Sequence, residues 1–446
     1  MISTPVDDFV RAYADSGVIR AHMPGHKGMG GGPERWDITE ITGADSLYGA
    51  DGILRESEDN AARLFGSAVT AYSTEGSSLS IRAMLLLALR RCRRDGRPWL
   101  LAGRNAHRTL LSAAALLDFD IRWVYPKSGT LLSAEIDPAD VSAALDGGGA
   151  RPFAVYLTSP DYLGGMADIR AAAEICHKAG VPLLVDNAHG AYLKFLPGSL
   201  HPLDQGADLC ADSAHKTLPA LTGAGYLHVS ARRGDISRED VKAAMSLFAS
   251  TSPSYLILAS LDRCNRLLER AFPERLAAFL PRMRALRDRL TDAGIRLAGV
   301  EPVKLTIRAA ETADGHRVQA LLRGQGIECE MTDPDFVTLM LSPCQEGQMD
   351  DIGRRILEAA RCLGGVPPRE PPALPPPGER VMSVREAMLS PQETLPLAAC
   401  EGRVLAADTT GCPPAVPVAV CGERLTRTSL RLCAYYGLTA LRVVSI

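Results

Sequence analysis

Phe153-Ala-Val-Tyr-Leu-Thr158, Ile169-Arg-Ala-Ala-Ala-Glu-Ile-Cys-His-Lys-Ala179 and, beyond Gly180, Val181-Pro-Leu-Leu-Val185 follow one another in the chain, and the first and last carry no charge. Those two short apolar runs read as strands buried on both faces. The segment between them has its apolar residues at helical spacing and stops at a glycine. Strand, helix and strand in this order make a βαβ crossover, whose strands lie parallel in one sheet. Trp99–Ala102, Ile121–Tyr125 and Gly225–Val229 read as further short buried strands, and Ser77–Arg94 as a helix. The expected fold class is α/β, with a mostly parallel sheet covered by helices.

Outward from this core the chain divides by composition. Residues 1–50, with Gly25, Gly28, Gly30, Gly31, Gly32 and Pro33, read as an irregular N-terminal arm. A large domain is expected over 51–295, its last stretch, 255–294, wholly helical. A small α+β domain is expected over 296–365, from strands at 303–307, 328–332 and 336–341 and a helix around His316–Arg323. Val366–Gly378 holds seven prolines and reads as a semi-rigid spacer, and 379–446 forms a third, C-terminal α+β domain.

With 446 residues the chain is too long for one ordinary domain. Lys and Arg number 49 against 52 Asp and Glu, and no basic run stands out, which argues against a nucleic-acid partner. No apolar run reaches the roughly 18 residues of a membrane span, and residues 1–20 carry Asp7, Asp8 and Asp15 where a signal peptide has its apolar core. A cytoplasmic protein without a membrane partner is expected. Eleven cysteines, none closer than nine positions to the next, give neither a metal clamp nor a disulfide framework. The thiols, Cys176 and Cys210 among them, are expected to be reduced core residues, and no metal site is expected.

The stretch Asp208-Leu-Cys-Ala-Asp-Ser-Ala-His-Lys-Thr-Leu218 places Lys216 between two apolar strands, close behind Ser213 and His215. Such a lysine is a surface residue or a Schiff-base nucleophile for an aldehyde cofactor. Asp186-Asn-Ala-His189 stands upstream, at the C-terminal end of a buried strand, where open α/β sheets bind ligands. Pyridoxal phosphate needs an amine, an anion that keeps the ring nitrogen protonated, and donors for its phosphate. Lys216, Asp186 and the Gly76-Ser77-Ser78 turn supply that set, the turn because it opens a long helix whose N-terminus attracts anions. The same two serines also suit a plain helix cap. His107, in Asn105-Ala-His-Arg108 after a strand end, is either exposed or a stacking partner for the ring. His22 and His26 are four apart, but Pro24 and Gly25 between them forbid the helix that would aim both at one metal.

These motifs resemble the Orn/Lys/Arg decarboxylases, pyridoxal-phosphate enzymes of fold type I with an aspartate-aminotransferase-like large domain. The resemblance spans nearly the whole chain. His22-Met-Pro-Gly-His-Lys27 is similar to the family's H-x-P-G-H-K signature, and Asp37-Ile-Thr-Glu-Ile41 with Gly43-Ala-Asp-Ser-Leu47 to its D-x-T-E-I-x-G-x-D-x-L run. Asp186-Asn-Ala-His189 and Ser213-Ala-His-Lys216 match D-x-A-H and S-x-H-K, and Thr251-Ser-Pro-Ser-Tyr255 resembles a segment that reaches the phosphate from the partner subunit. Cys412-Pro-Pro-Ala-Val-Pro417 with Gly422-Glu423 resembles the C-terminal Y-P-P-G-I-P and P-G-E pattern.

The resemblance implies decarboxylation of arginine, lysine or ornithine to an amine, of the kind used in polyamine biosynthesis, by a homodimer or an assembly of dimers. It implies that Lys216 bonds the cofactor, Asp186 pairs with the pyridine nitrogen, His107 stacks on the ring and His189 lies near the 3-hydroxyl. Gly76, Ser77, Ser78, Ser213 and His215, with Thr251 and Ser252, would complete the cofactor site. The chain departs from the family at Glu75, an acid beside the phosphate turn, and at Cys412, Ala415 and Cys421. A basic substrate needs an acid facing its distal cation, and Glu423, Asp45 and Glu75 are the candidates. Transamination or a lyase step uses the same cofactor set, with Arg308 as the obvious carboxylate clamp of an aminotransferase. A non-catalytic regulator would be free to lose Lys216 or Asp186, and both are present.

Overall fold

A computed structural model describes residues 2–92, 96–127, 130–147, 150–311, 313–363, 374–376, 378–409 and 415–445. Most of the expected spacer at 366–378, and Cys412, Pro413 and Pro414 of the C-terminal motif, lie outside the described residues. In chain order the first elements are α1 Pro5–Asp15, α2 Ile53–Phe65, β1 Val69–Ser73, α3 Gly76–Arg90, β2 Trp99–Gly103, α4 Thr109–Leu117, β3 Asp120–Val124 and α5 Pro138–Asp146. They are followed by β4 Val155–Thr158, α6 Ile169–Lys178, β5 Leu183–Asp186, β6 Leu209–Asp212, α7 Ala214–Thr217, β7 Gly225–Val229, α8 Arg238–Ser246, α9 Tyr255–Glu269 and α10 Ala271–Asp292.

The chain forms two compact units. The first, made of Met1–Arg93, Phe153–Ser159 and Ile169–Leu276, contains the βαβ crossover. There β5 pairs parallel with β4, Val155 opposite Leu183 and Thr158 opposite Asp186, and parallel with β6. β7 runs antiparallel to both β6 and β1. α6 stops before Gly180, whose φ of 68° is the left-handed turn that only glycine adopts without strain. The residues of β5, β6 and β7 are all buried, as uninterrupted apolar runs require in a sheet covered on both faces. β1 was not legible as a strand because it alternates Thr and Ser with apolar residues.

The arm is less irregular than its composition suggests, because Pro5–Asp15 is a helix. Pro5 opens it, Asp7 and Asp8 sit in its first turn, and Val6 and Val10 are buried one turn apart. Asp262 on α9 accepts the N–H groups of Val6 and Asp7 at 2.9 and 3.0 Å and the Ser57 hydroxyl, closing the start of α1. Burial pushes the Asp262 carboxyl up to about 6, against the pull of these donors. The folded chain therefore holds this proton more tightly than the unfolded one, and the stability contributed falls as pH rises through the interval between the two values. Relative to Asp262→Asn, the unfolding free energy of the wild-type chain should drop by about 1 kcal/mol between pH 5 and pH 7. Denaturant titrations giving the same difference at both pH values would contradict this.

The second unit comprises Arg94–Pro152, Pro160–Asp168 and Ala277–Ile446. It holds the parallel pair β2–β3 and an antiparallel four-stranded sheet built from 297–298, 304–308, 331–332 and 336–340, packed with helices Gly315–Gly324 and Met349–Ala360. Strands Gln392–Pro396 and Ala440–Val444 pair antiparallel near the C-terminus. Leu405, Val418, Leu432 and Val443 share one buried core with Leu131, Leu132, Tyr162 and Leu163. The 255–294 stretch is helical as expected, broken once at Arg270.

Candidate active site

β5 and β6 are parallel neighbours, so the turns that leave their C-terminal ends lie side by side. The first is Asp186-Asn-Ala-His189, closed by a bond from Gly190 N–H to the Asn187 carbonyl. The second runs from Ser213 into the single-turn helix α7, where Lys216 N–H bonds the Ser213 carbonyl. This brings Lys216 Nζ to 3.1 Å from His189 Nε2. Lys216 is partly buried, and its amine has an imidazole nitrogen beside it.

Asp186 is the last residue of β5 and 1 % exposed. Burial pushes its carboxyl up, while the charge of Lys216 and a hydrogen bond from the Tyr156 hydroxyl pull it back. Tyr156, on β4, donates to Oδ2 at 3.0 Å, and Ala188 N–H to Oδ1 at 3.2 Å. Tyr156 escaped the sequence reading because nothing in an apolar strand says which way a tyrosine hydroxyl reaches. The only available signal was that a fully buried phenol needs a partner.

Gly76 begins α3 with φ 67°, and its N–H bonds the Gly223 carbonyl at 2.7 Å. Ser73 shapes the turn, donating to the Gly76 carbonyl at 2.7 Å and accepting Glu75 N–H at 3.1 Å. No side chain caps the start of α3. Ser77 accepts the Ser213 hydroxyl at 2.8 Å, which ties the helix start to the lysine-bearing turn. Opposite, a Cβ on Gly225 would meet the Gly76 carbonyl carbon at 2.9 Å, so the two backbones approach as only glycine allows. The His215 ring flanks the same glycine, its Nδ1 2.7 Å from the Ala224 carbonyl. The Glu75 carboxylate accepts Ser250 N–H at 2.8 Å, just ahead of Thr251. An uncapped helix N-terminus beside two serine hydroxyls, a buried carboxylate and an amine fit the phosphate, the ring nitrogen and the carbonyl carbon of pyridoxal phosphate.

Thr251 and Ser252 are exposed on the loop before α9. His107 belongs to the second unit, where its Nδ1 lies 2.8 Å from the Thr109 hydroxyl and 3.2 Å from Thr109 N. Asp45 is engaged by the N–H groups of Ser46, Asp51, Gly52 and Leu54, which hold its carboxyl low although burial raises it. In the second unit, burial pushes the Glu423 carboxyl up, against Val420 N–H and the charge of Arg104. His22 and His26 have separate partners, Tyr13 and Asp37, in a segment that is not helical. Arg308, at the end of its strand, is exposed and donates to the Leu297 carbonyl.

Residues 4–293 match the family model described as the Orn/Lys/Arg decarboxylase major domain. The uncharacterized protein YaaO of Bacillus subtilis (strain 168) is 31% identical over 89% of this chain and 84% of its own length. An arginine decarboxylase of Halalkalibacterium halodurans is 29% identical over 96% of this chain and 92% of its own. Among solved structures, lysine decarboxylase A from Pseudomonas aeruginosa superposes with a TM-score of 0.78 at 18% identity, covering 99% of this chain and 80% of that one, so the two share a fold.

Proposed function

The chain belongs to the Orn/Lys/Arg decarboxylase family, and from that premise we propose that it releases the α-carboxyl group of arginine, lysine or ornithine as CO2, with pyridoxal 5′-phosphate as cofactor. The observation that carries this reading is the amine of Lys216 held 3.1 Å from His189 on a turn beside the buried Asp186. When bound, the cofactor supplies an electron sink for the pair left behind as the carboxyl group departs. Lys216 would hold the cofactor covalently through its amine, and that amine is placed to carry a proton. Asp186, steadied by Tyr156, would accept the ring N–H and keep that nitrogen protonated. Ser77, Ser78, Ser213 and the first N–H groups of α3 bind the phosphate, with Gly76 and His215 shaping the cradle. His189 orients the Lys216 amine, and His107 would stack on the ring.

Among the described residues no helix is long and apolar enough to cross a membrane, in keeping with a cytoplasmic enzyme acting on a small polar substrate. Purified protein offered arginine, lysine and ornithine in turn should release CO2 and agmatine, cadaverine or putrescine from at least one of them. Release of an oxo acid instead, or of no product from any of the three, would overturn the assignment.

Thr251 and Ser252, exposed here, complete the phosphate site of the partner subunit in a homodimer, and the partner's Thr251 and Ser252 complete this one. Mixing inactive Lys216→Ala with an inactive Thr251→Ala/Ser252→Ala double variant should restore up to about a quarter of the activity, because half of the random pairs are mixed and each mixed pair has one intact site. A chain fully active as a monomer at high dilution would contradict this.

A further inference from the structure

Asp212, the last residue of β6, has no part in the chemistry above, yet it sits at the junction of both active-site turns. It is fully buried, as are His201, His228, Cys210 and Asn187. Its Oδ2 lies 3.0 Å from His201 Nε2 and 3.4 Å from His228 Nε2. Its Oδ1 accepts Asn187 Nδ2 at 2.8 Å and the Cys210 thiol at 3.3 Å. His201 Nδ1 accepts the Leu203 N–H at 3.4 Å, which leaves Nε2 to donate to the carboxylate, and His228 Nδ1 meets the Thr70 hydroxyl at 2.8 Å. Burial opposes the charge, but these two histidines hold the Asp212 carboxyl far below the usual carboxylate range. His201, Cys210 and Asp212 place ligand atoms within 4.8 Å of one another, but both oxygens of Asp212 are already engaged by donors, so the cluster is satisfied without an ion.

A carboxylate without water is costly even when well bonded, so its position is informative. Asn187 follows Asp186 and precedes the turn to His189, and its N–H bonds the Ala211 carbonyl at 2.9 Å. Gly190 closes over its side chain so tightly that a Cβ there would lie 1.9 Å from Asn187 Oδ1. The Asn187 amide thus donates to Asp212 on one side and packs against Gly190 on the other. Asp212 is also the residue before Ser213, which bonds Ser77, on the turn that carries Lys216.

We propose that Asp212 is a positioning residue which, through Asn187, fixes Asp186 and His189 against Lys216 and Ser213 before the cofactor arrives. It touches neither cofactor nor substrate. His201 and His228 aim the carboxylate, and Asn187 transmits its position to the turn. The inference rests on the reading of Lys216 and Asp186 as the cofactor site.

The test is absorbance titration of wild-type protein, Asp212→Asn, Asn187→Ser and the double variant with pyridoxal 5′-phosphate, well below their melting temperatures and with folding followed by circular dichroism. Both single variants should bind at least tenfold more weakly while folded. The double variant should bind no more weakly than the weaker single, because the two residues act as one link. A lower melting temperature with unchanged affinity in the single variants would assign Asp212 to stability alone and overturn the proposal. Should Asp212→Asn fail to fold, Asn187→Ser, which leaves the His201–Asp212–His228 group intact, decides by the same criterion. Wild-type protein that binds no cofactor would sink both this inference and the site reading beneath it. Normal wild-type binding beside unaffected variants would sink this inference alone.

Discussion

Replacing Lys216 with alanine should leave a folded chain whose turnover of its basic amino acid falls by about four orders of magnitude or more. The side chain lies partly exposed on the single-turn helix α7, and the turn is held by other bonds, from Ser213 to Ser77 and from His215 to Ala224. Removing it therefore costs little packing and takes away the one amine next to His189. Cofactor could still settle on the phosphate cradle, so colour alone does not decide, but no covalent attachment should remain. A variant retaining more than about a tenth of wild-type turnover would show that Lys216 is not the reacting amine.

Asp186→Asn should lower turnover by about two to four orders of magnitude while much of the cofactor stays bound. Asparagine keeps the shape and an acceptor for the Tyr156 hydroxyl, so the turn and the cradle survive. What it loses is the charge that, on the proposed assignment, holds the ring nitrogen protonated, and with it the depth of the electron sink. The present geometry makes this charge expensive: burial pushes the carboxyl up, and Lys216, Tyr156 and the Ala188 N–H oppose that. A ring N–H facing Asp186 would satisfy it. A loss of less than tenfold, with cofactor fully bound, would remove Asp186 from this role.

The βαβ core was legible because its signal is local: Phe153–Thr158 and Val181–Val185 can only be buried strands, and the Gly180 stop is a backbone property of one residue. The positions of Lys216, Asp186 and Ser77 at the ends of elements were legible for a related reason, since the sequence marks the limits of those elements. The α1 helix was not, because its N-terminus is closed by Asp262, some 250 positions away, and no local pattern announces such a partner. Tyr156 and Asp212 were missed for the same reason. Each lies on a buried strand, and its partners follow from which strands become neighbours. Glu75 looked hostile to a phosphate, and only the folded chain reveals that its carboxylate accepts the Ser250 N–H.

Borohydride reduction of the purified protein saturated with pyridoxal 5′-phosphate, followed by proteolysis and mass spectrometry, tests the central claim most directly. The account predicts a single pyridoxyl-modified lysine, in the peptide that contains Ser213-Ala-His-Lys216. Modification of a different lysine, or none in a protein saturated with pyridoxal 5′-phosphate, would contradict it.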